Sequence, residues 1–268
     1  MKAIARRAAR LALGWRSLLP ASKRAVFVYH DVSAPDEPQH SPQYSTRPEI
    51  FVQQLDLLQR EFQIVSLDQV VAPTPPGERP LAALTFDDGF TSVRTRVQPL
   101  LAERRLPFTL FINGRAVREG RLDYLAQYDP PPQGPGFYLD ATGVLALQKA
   151  GVQIGNHGTS HKPLSGCTDA ELNEEIVQNR GYLEELIGQP VRHFALPYGK
   201  KEHYDPRALA RCFSAGHTHV HSTNPSIFDA DAVGGFSVQP VPRIGLRDES
   251  ASEIRFLINR ALVKRIDL

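Results

Sequence analysis

Leu81-Ala-Ala-Leu-Thr-Phe-Asp87-Asp88-Gly89 is an apolar run that ends abruptly in two adjacent carboxylates and a glycine. Its first six residues are typical of a buried strand. Neighbouring side chains of an extended segment point to opposite sides, and burying two unpaired like charges is costly. A turn at Gly89 would instead bring both carboxylates to one pocket, in different roles. The alternative, an Asp-Asp-Gly surface turn, is disfavoured by the strand-like run that precedes it.

A second motif, His157-Gly-Thr-Ser-His161, follows later in the chain. Histidines four apart share one face of a helical turn, and Gly158 allows the backbone to approach a ligand closely. Taken alone, the pair is best explained as two exposed loop histidines. Together with a carboxylate from a strand end, it matches the ligand set of a catalytic metal site that keeps one position open. The other aspartate would then be free to act as a base.

Strand and helix patterns alternate along the chain, which predicts a parallel β/α architecture, either an open sheet or a barrel. Residues that carry chemistry, at His30, Asp87-Asp88, His157 and Tyr198, each follow the C-terminal end of a predicted strand. In a β/α barrel, active sites are built at that end. The predicted strands are 25–29, 81–86, 107–112, 152–155, 193–196, 216–222 and 238–244, and the main predicted helices are 48–62, 91–105, 139–150, 168–187, 206–212 and 250–264.

The bulk composition is that of an ordinary globular protein. At 268 residues, with 41% hydrophobic and 22% charged residues, the chain fits one large α/β domain or two small ones. A net charge of +2 is too close to neutral to indicate a nucleic-acid partner. Two cysteines, Cys167 and Cys212, are too few for a disulfide scaffold and lack zinc-motif spacing, so buried thiols are the favoured interpretation.

The first 30 residues carry seven basic side chains and no acid. Their apolar run, Leu11–Trp15, is shorter than the roughly 7–15 residues of a secretory signal, and no stretch reaches the ~20 apolar residues of a membrane span. Residues 3–19 fit a basic amphipathic helix, which either lies on an anionic membrane surface or packs on its own domain. We predict a basic amphipathic segment at 1–24, a catalytic domain at 25–268 and a cytoplasmic protein with peripheral contact at the inner membrane surface.

Three motifs resemble those of one enzyme family. Thr85–Gly89, His157–His161 and Leu196-Pro197-Tyr198-Gly199 are similar to the first three motifs of the polysaccharide deacetylases (NodB homology, carbohydrate esterase family 4), in the same order. Phe108–Ile112 resembles the family's strand after the first helix, and the resemblance covers residues 25–245. It implies a single α/β domain, a distorted (β/α)7-type barrel, and a divalent metal, usually zinc.

The resemblance also implies roles for individual residues. Asp88, His157 and His161 would be the metal ligands, and Asp87 the general base that activates the attacking water. The backbone N–H of Tyr198 would help to hold the oxyanion. The residues expected to contact substrate are Tyr29, Asn156, Pro197 and Tyr198.

Two departures from the family pattern are informative. The family often has an arginine a few residues before Pro-Tyr, but Arg192 matches that spacing poorly, and Arg243 in Val241-Pro-Arg243-Ile is expected to replace it. The family's last motif, an apolar strand ending in a histidine, is absent near the C-terminus. Val26-Phe-Val-Tyr-His30 has that pattern instead. This order resembles the permuted branch that deacetylates exopolysaccharides such as poly-N-acetylglucosamine, and it implies that His30 is the general acid.

A histidine cluster, His217-Thr-His219-Val-His221, has period two, which would place all three rings on one face of a strand. A second metal site and a polar or half-buried strand face are both compatible with this pattern. The strand face is the favoured interpretation.

These features predict a metal-dependent hydrolase that removes N-acetyl groups from the sugars of a polysaccharide or of a lipid-linked precursor. Three alternatives stay open: action of the same fold on an O-acetyl ester or sugar formamide, a catalytically weak carbohydrate-binding protein, and a non-catalytic metal-binding protein. The loops 32–47 and 129–138 would face the substrate. The sequence specifies neither the glycan, nor the native metal, nor the oligomeric state.

Overall fold

The computed structural model describes residues 19–130 and 132–263. The strands are β1 Lys23–Tyr29, β2 Asp31–Val32, β3 Ser45–Thr46, β4 Gln63–Ile64, β5 Leu81–Phe86, β6 Phe108–Ile112, β7 Gln153–Asn156, β8 His193–Ala195, β9 His219–His221, β10 Phe228–Asp229 and β11 Ile244–Gly245. The α-helices are α1 Pro48–Glu61, α2 Leu67–Val71, α3 Gln98–Glu103, α4 Gly114–Glu119, α5 Ala141–Lys149, α6 Asp169–Leu172, α7 Asn179–Ile187, α8 Pro206–Ser214 and α9 Ala251–Val263.

The main sheet runs in the order β10-β1-β5-β6-β7-β8-β9, and the pairs from β1 to β9 are all parallel. The segment 241–246 joins its two ends. The Val241 N–H donates to the oxygen of Val220 in β9, and its oxygen accepts from the N–H of Ser222, just after that strand. At the other end, β11 pairs in parallel with β1. The sheet is therefore curled and barrel-like, which confirms the predicted α/β barrel class.

Successive side chains along the strands point to opposite faces of the sheet and pack in two separate apolar clusters. Phe27, Leu84 and Leu110 pack in the larger cluster, which also holds residues of α1, α7 and α9. Val26 and Phe111, their neighbours in sequence, belong to a smaller cluster with Val241 and the residues of α2. Strands β5 and β6 are almost wholly buried, as expected for parallel strands covered on both faces.

One predicted strand is wrong. Residues 238–244 were expected to form the last long strand, but only Ile244–Gly245 is a strand, and a 3₁₀ segment occupies Ala230–Ser237. The physical reason is that Pro240 and Pro242 have no backbone N–H to donate to a sheet. The chain between them still makes a single bridge, from Val241 to His221.

Two predicted helices contain a wider turn. A π-helical segment, Val93–Val97, precedes α3, and another, Asn173–Gln178, lies between α6 and α7. No helix of the described residues is both long and apolar enough to span a membrane. The predicted amphipathic helix at residues 3–19 falls almost entirely outside the described part of the chain.

Candidate metal centre

Asp88, His157 and His161 form a buried group at the C-terminal ends of β5 and β7. The Nε2 atoms of His157 and His161 each lie 3.4 Å from Oδ1 of Asp88. One ligand atom from each residue lies within 4.8 Å of the others, and within residues 19–130 and 132–263 no other His, Cys, Asp or Glu group meets this condition. The three predicted ligands are thus brought together.

Unusual backbone conformations orient the side chains of this group. Asp88 has φ 69° and His161 has φ 66°, in the left-handed region that residues other than glycine rarely adopt. Gly89 follows Asp88 with φ 80°, and the turn begins directly at the end of β5. Strain of this kind persists only where surrounding structure enforces it, and it concentrates at functional sites.

The donor set fits a metal ion. Both carboxylate oxygens of Asp88 are buried and accept no hydrogen bond from any described residue. His157 Nδ1 lies 2.8 Å from the backbone oxygen of Ala195, so that nitrogen carries the proton and leaves the Nε2 lone pair facing Asp88. His161 Nδ1 lies 3.4 Å from the oxygen of Asp123. Two imidazole nitrogens and an unpaired carboxylate are ligands that zinc accepts.

Asp87 has a different environment. Its two oxygens each accept a hydrogen bond of 2.8 Å from the guanidinium of Arg243. Both side chains are buried, and the guanidinium lies over the Phe111 ring, 5.2 Å from its centroid. Burial acts to raise the pKa of Asp87, but the charge of the Arg243 guanidinium and its hydrogen bonds outweigh it and keep the pKa below its ordinary value. Asp87 is therefore an ionised carboxylate in a fixed orientation.

His30 and Tyr198 border the same group. Burial lowers the pKa of His30, and the charges of Asp88 and Asp87 oppose that shift. His30 follows Tyr29, whose backbone oxygen accepts a hydrogen bond of 2.9 Å from the Asp87 N–H, so His30 adjoins the aspartate pair in the chain fold. Tyr198 has φ 59°, and its ring centroid lies 4.5 Å from that of His161. Its backbone N–H donates to no acceptor in the described part of the chain. Pro197, just before it, is buried.

Comparison with known proteins agrees with this geometry. The family model for polysaccharide deacetylases matches residues 74–220. The chain belongs to the polysaccharide deacetylase family. The matched range holds Asp87, Asp88, His157, His161 and Tyr198, whereas His30 and Arg243 lie outside it.

A chitin deacetylase of Pestalotiopsis sp is 28% identical over 117 residues, which are 43% of this chain and 33% of that protein. The chain spans less than half the length of the curated relatives it matches. The deacetylase PplD of Streptococcus pyogenes, solved with acetate, has a TM-score of 0.70 at 18% identity over 88% of this chain and 98% of its own. A de-N-acetylase of Aggregatibacter actinomycetemcomitans has a TM-score of 0.69 at 18% identity over 88% and 100%. These two structures share the deacetylase fold.

The structure places two predicted substrate residues elsewhere. Tyr29 precedes His30 in β1 and points to the opposite face, where its ring packs against Phe51 and Phe86 in the core. Asn156 is fully buried, and its side chain bonds Gly158, Ile176 and Asn179 rather than facing the site. Asn156 therefore shapes the loop that carries the histidines.

Four tyrosines surround the metal group, although no sequence pattern marked them: Tyr44, Tyr124, Tyr128 and Tyr138. Tyr44 lies against Tyr124, with ring centroids 5.6 Å apart, and Tyr128 stacks on Tyr198 at 5.3 Å. Burial, together with the charge of Asp88, raises the pKa of Tyr44, Tyr124 and Tyr138. Tyr44 and Tyr138 come from the loops 32–47 and 129–138 that the sequence predicts to face substrate, whereas Tyr124 and Tyr128 precede the second loop.

The histidine cluster is only partly as predicted. His219 and His221 lie on one face and contact His193, whose Nε2 is 2.8 Å from Asp68 Oδ1. His217 instead lies against Phe194 and Asn156. The reason is that β9 begins only at His219, so the period-two pattern does not extend to His217. The cluster forms buried polar contacts, and its members fail the metal criterion above.

Proposed function

We propose that this protein is a zinc-dependent hydrolase that removes N-acetyl groups from sugars of a polysaccharide or a glycolipid precursor. One observation carries the proposal: the ionised Asp87, held by Arg243, adjoins a buried Asp88–His157–His161 group whose carboxylate has no hydrogen bond. A carbohydrate-binding protein needs neither an unpaired buried carboxylate nor an oriented base beside it.

Each residue of the site would have a separate role in amide hydrolysis. Asp88, His157 and His161 would hold zinc, which when bound lowers the pKa of water and polarises the acyl carbonyl. Asp87 is the base that takes a proton from the attacking water, and Arg243 keeps it ionised and oriented. The backbone N–H of Tyr198 donates to the oxyanion. His30 gives a proton to the leaving amine, so that acetate and a free amino sugar are released.

The predicted branch of the family and the predicted location of the protein are also proposals. The permuted exopolysaccharide branch is supported by His30 and Arg243, which stand beside the metal group although they lie outside the family-matched residues. A lipid-linked substrate would suit a cytoplasmic enzyme that touches the inner membrane surface through residues 3–19. That location stays a prediction.

Acetate release from N-acetylglucosamine oligomers tests the proposal. The purified protein is assayed with zinc and after chelation, beside Asp87→Asn and, as a matched control, Asp231→Asn at an exposed aspartate. We expect zinc-dependent release that Asp87→Asn lowers by about 10²- to 10⁴-fold, the usual contribution of a general base. Bound zinc should be unchanged in that variant.

The outcomes separate the alternatives. Retained zinc without acetate release would overturn N-deacetylation and favour another acyl group, to be assayed with O-acetyl and N-formyl sugars. Equal release by Asp87→Asn and the control would remove Asp87 as the base. A His30→Gln variant in the same comparison tests the acid, because undiminished turnover would overturn that role.

A further inference from the structure

The loop that carries the histidine ligands is held by a buried acid, Glu175. One of its oxygens, Oε2, accepts hydrogen bonds of 2.9 Å from the backbone N–H groups of Thr159 and Ser160. The other, Oε1, accepts the Ser160 hydroxyl at 2.5 Å. The residue is only 1% exposed. All three donors lie between the ligands His157 and His161.

This carboxylate has no ion-pair partner among the described Lys, Arg and His residues. A buried charge is costly unless hydrogen bonds compensate it. The loop supplies that compensation only in its present shape, since both backbone N–H groups must point at one oxygen. The stability of the charged side chain and the shape of the ligand loop are therefore coupled.

The surroundings of Glu175 fit this role. It lies in the π-helical segment Asn173–Gln178, and such single-turn bulges occur frequently at functional sites. A Cβ at Gly158 would lie 2.9 Å from Glu175 Oε2, so glycine makes the close approach possible. The neighbouring helix α7 contributes Asn179, whose amide donates to the oxygen of Gly158 at 2.8 Å.

We propose that Glu175 is the positioning residue of the metal centre, which holds the 157–161 loop in its ligating shape before the ion binds. The inference rests on the proposed function, because it assumes that His157 and His161 bind zinc. Without the carboxylate, the three loop donors lose their charged acceptor, and the amide of a glutamine offers them only one neutral oxygen. The free energy needed to order the loop then has to come from metal binding. Partners of this kind typically change metal affinity by about 10- to 100-fold.

Zinc affinity tests the proposal. The full chain carrying Glu175→Gln is compared with wild type and with Glu174→Gln, a matched change at the exposed neighbour. Zinc binding is measured by competition with a chromophoric chelator, and the unfolding temperature is measured with and without zinc. We expect affinity to fall by about 10- to 100-fold in Glu175→Gln and to stay within about twofold in Glu174→Gln.

The readouts distinguish positioning from general stability. A purely structural role would lower the unfolding temperature of the zinc-free protein and leave the affinity of the folded protein unchanged, which would overturn the proposal. If Glu175→Gln does not fold, Ser160→Ala is tested in its place, because it removes one of the three hydrogen bonds. We expect Ser160→Ala to weaken zinc binding to a smaller degree. Unchanged zinc affinity in Ser160→Ala would overturn the proposal. If wild type itself binds no zinc, the zinc-dependent function fails and the role of Glu175 fails with it. Equal binding by wild type and Glu175→Gln refutes the positioning role alone.

Discussion

The contact between Asp87 and Arg243 keeps the proposed base ionised. Burial alone would raise the pKa of Asp87, but the guanidinium keeps it below the ordinary value. Asp87 must be ionised to accept a proton, so activity is lost as the pH falls through its pKa. The position of the acid limb of the pH–rate profile therefore depends on Arg243.

Replacing Arg243 with Met should move that acid limb to higher pH. The neutral side chain leaves the burial of Asp87 uncompensated, so its pKa rises and fewer molecules carry an ionised base at neutral pH. We expect a loss of turnover near pH 7 that stays within the roughly 10²- to 10⁴-fold contribution of a general base. Arg192→Met, at an exposed arginine, is the control. Acid limbs that coincide for the two variants would contradict the assignment.

Spacing in the sequence was sufficient to find the metal group but not its supports. The aspartate pair and the two histidines could be predicted as a group from a strand end and a four-residue interval, and the family resemblance then selected Asp88 as the ligand. The expected helical turn was wrong, because residues 157–161 form a loop in which Gly158 and His161 have positive φ. Glu175 could not be predicted, because it is one of several acids in its helical region and nothing in the pattern marks the buried one. The sequence could not show that the Tyr29 ring packs against Phe51 and Phe86, because those core contacts join residues far apart in the chain.

Among the elements, β7 and α7 offer a contrast between two glycines. A Cβ at Gly155 in β7 would lie 2.5 Å from two ring carbons of Phe111, whereas a Cβ at Gly181 in α7 would meet nothing within 4 Å. Gly155→Ala should therefore destabilise the protein by about 1–3 kcal/mol through overpacking. Gly181→Ala should stabilise it by up to about 1 kcal/mol, since alanine favours helix. Urea unfolding measures both.

The position of Phe111 adds a functional readout to this pair. Because the Arg243 guanidinium lies over that ring, Gly155→Ala should also lower acetate release, whereas Gly181→Ala should leave it unchanged. Similar unfolding free energies for the two variants would show that the strand can absorb the extra methyl group.

Element types were more predictable than their boundaries. The strands β1, β5, β6, β7 and β8 follow from apolar runs, because parallel strands buried on both faces have that composition. The two-residue strands β2 and β3 lie at the ends of the predicted loop 32–47 and carry no such pattern. The strand expected at 238–244 failed because Pro240 and Pro242 cannot donate to a ladder. The π-helical segments were missed because a single wide turn leaves the apolar period nearly unchanged.

At the scale of the whole molecule, buried histidines make stability depend on pH. Burial lowers the pKa of His217 and of His219 to about 4, and that of His221 well below its ordinary value. In the unfolded chain the pKa of a histidine is about 6.5. Between about pH 4 and pH 6.5 the unfolded state therefore binds more protons than the folded state. The stability they contribute is complete above about pH 6.5 and is lost progressively toward pH 4.

His217→Asn tests this dependence. Removing one such group should reduce the slope of unfolding free energy against pH by at most about 1.4 kcal/mol per unit between pH 4 and 6.5. Urea unfolding at pH 7.5, 6, 5 and 4 gives the slope for each protein. Parallel curves for the variant and wild type would show that His217 is protonated alike in both states.

The segment that completes the barrel, residues 241–246, is synthesised after all three proposed metal ligands. The proposed metal ligands lie between residues 88 and 161, so a nascent chain that has reached residue 161 already contains all three. Arg243, which orients the base, is 156 positions beyond Asp87 and arrives with the segment that joins β9 to β1. Because domains are synthesised from the N-terminus, a partly made chain would acquire its metal ligands well before an oriented base. The proposed hydrolytic activity therefore requires that residues 241–246 have been added to the chain.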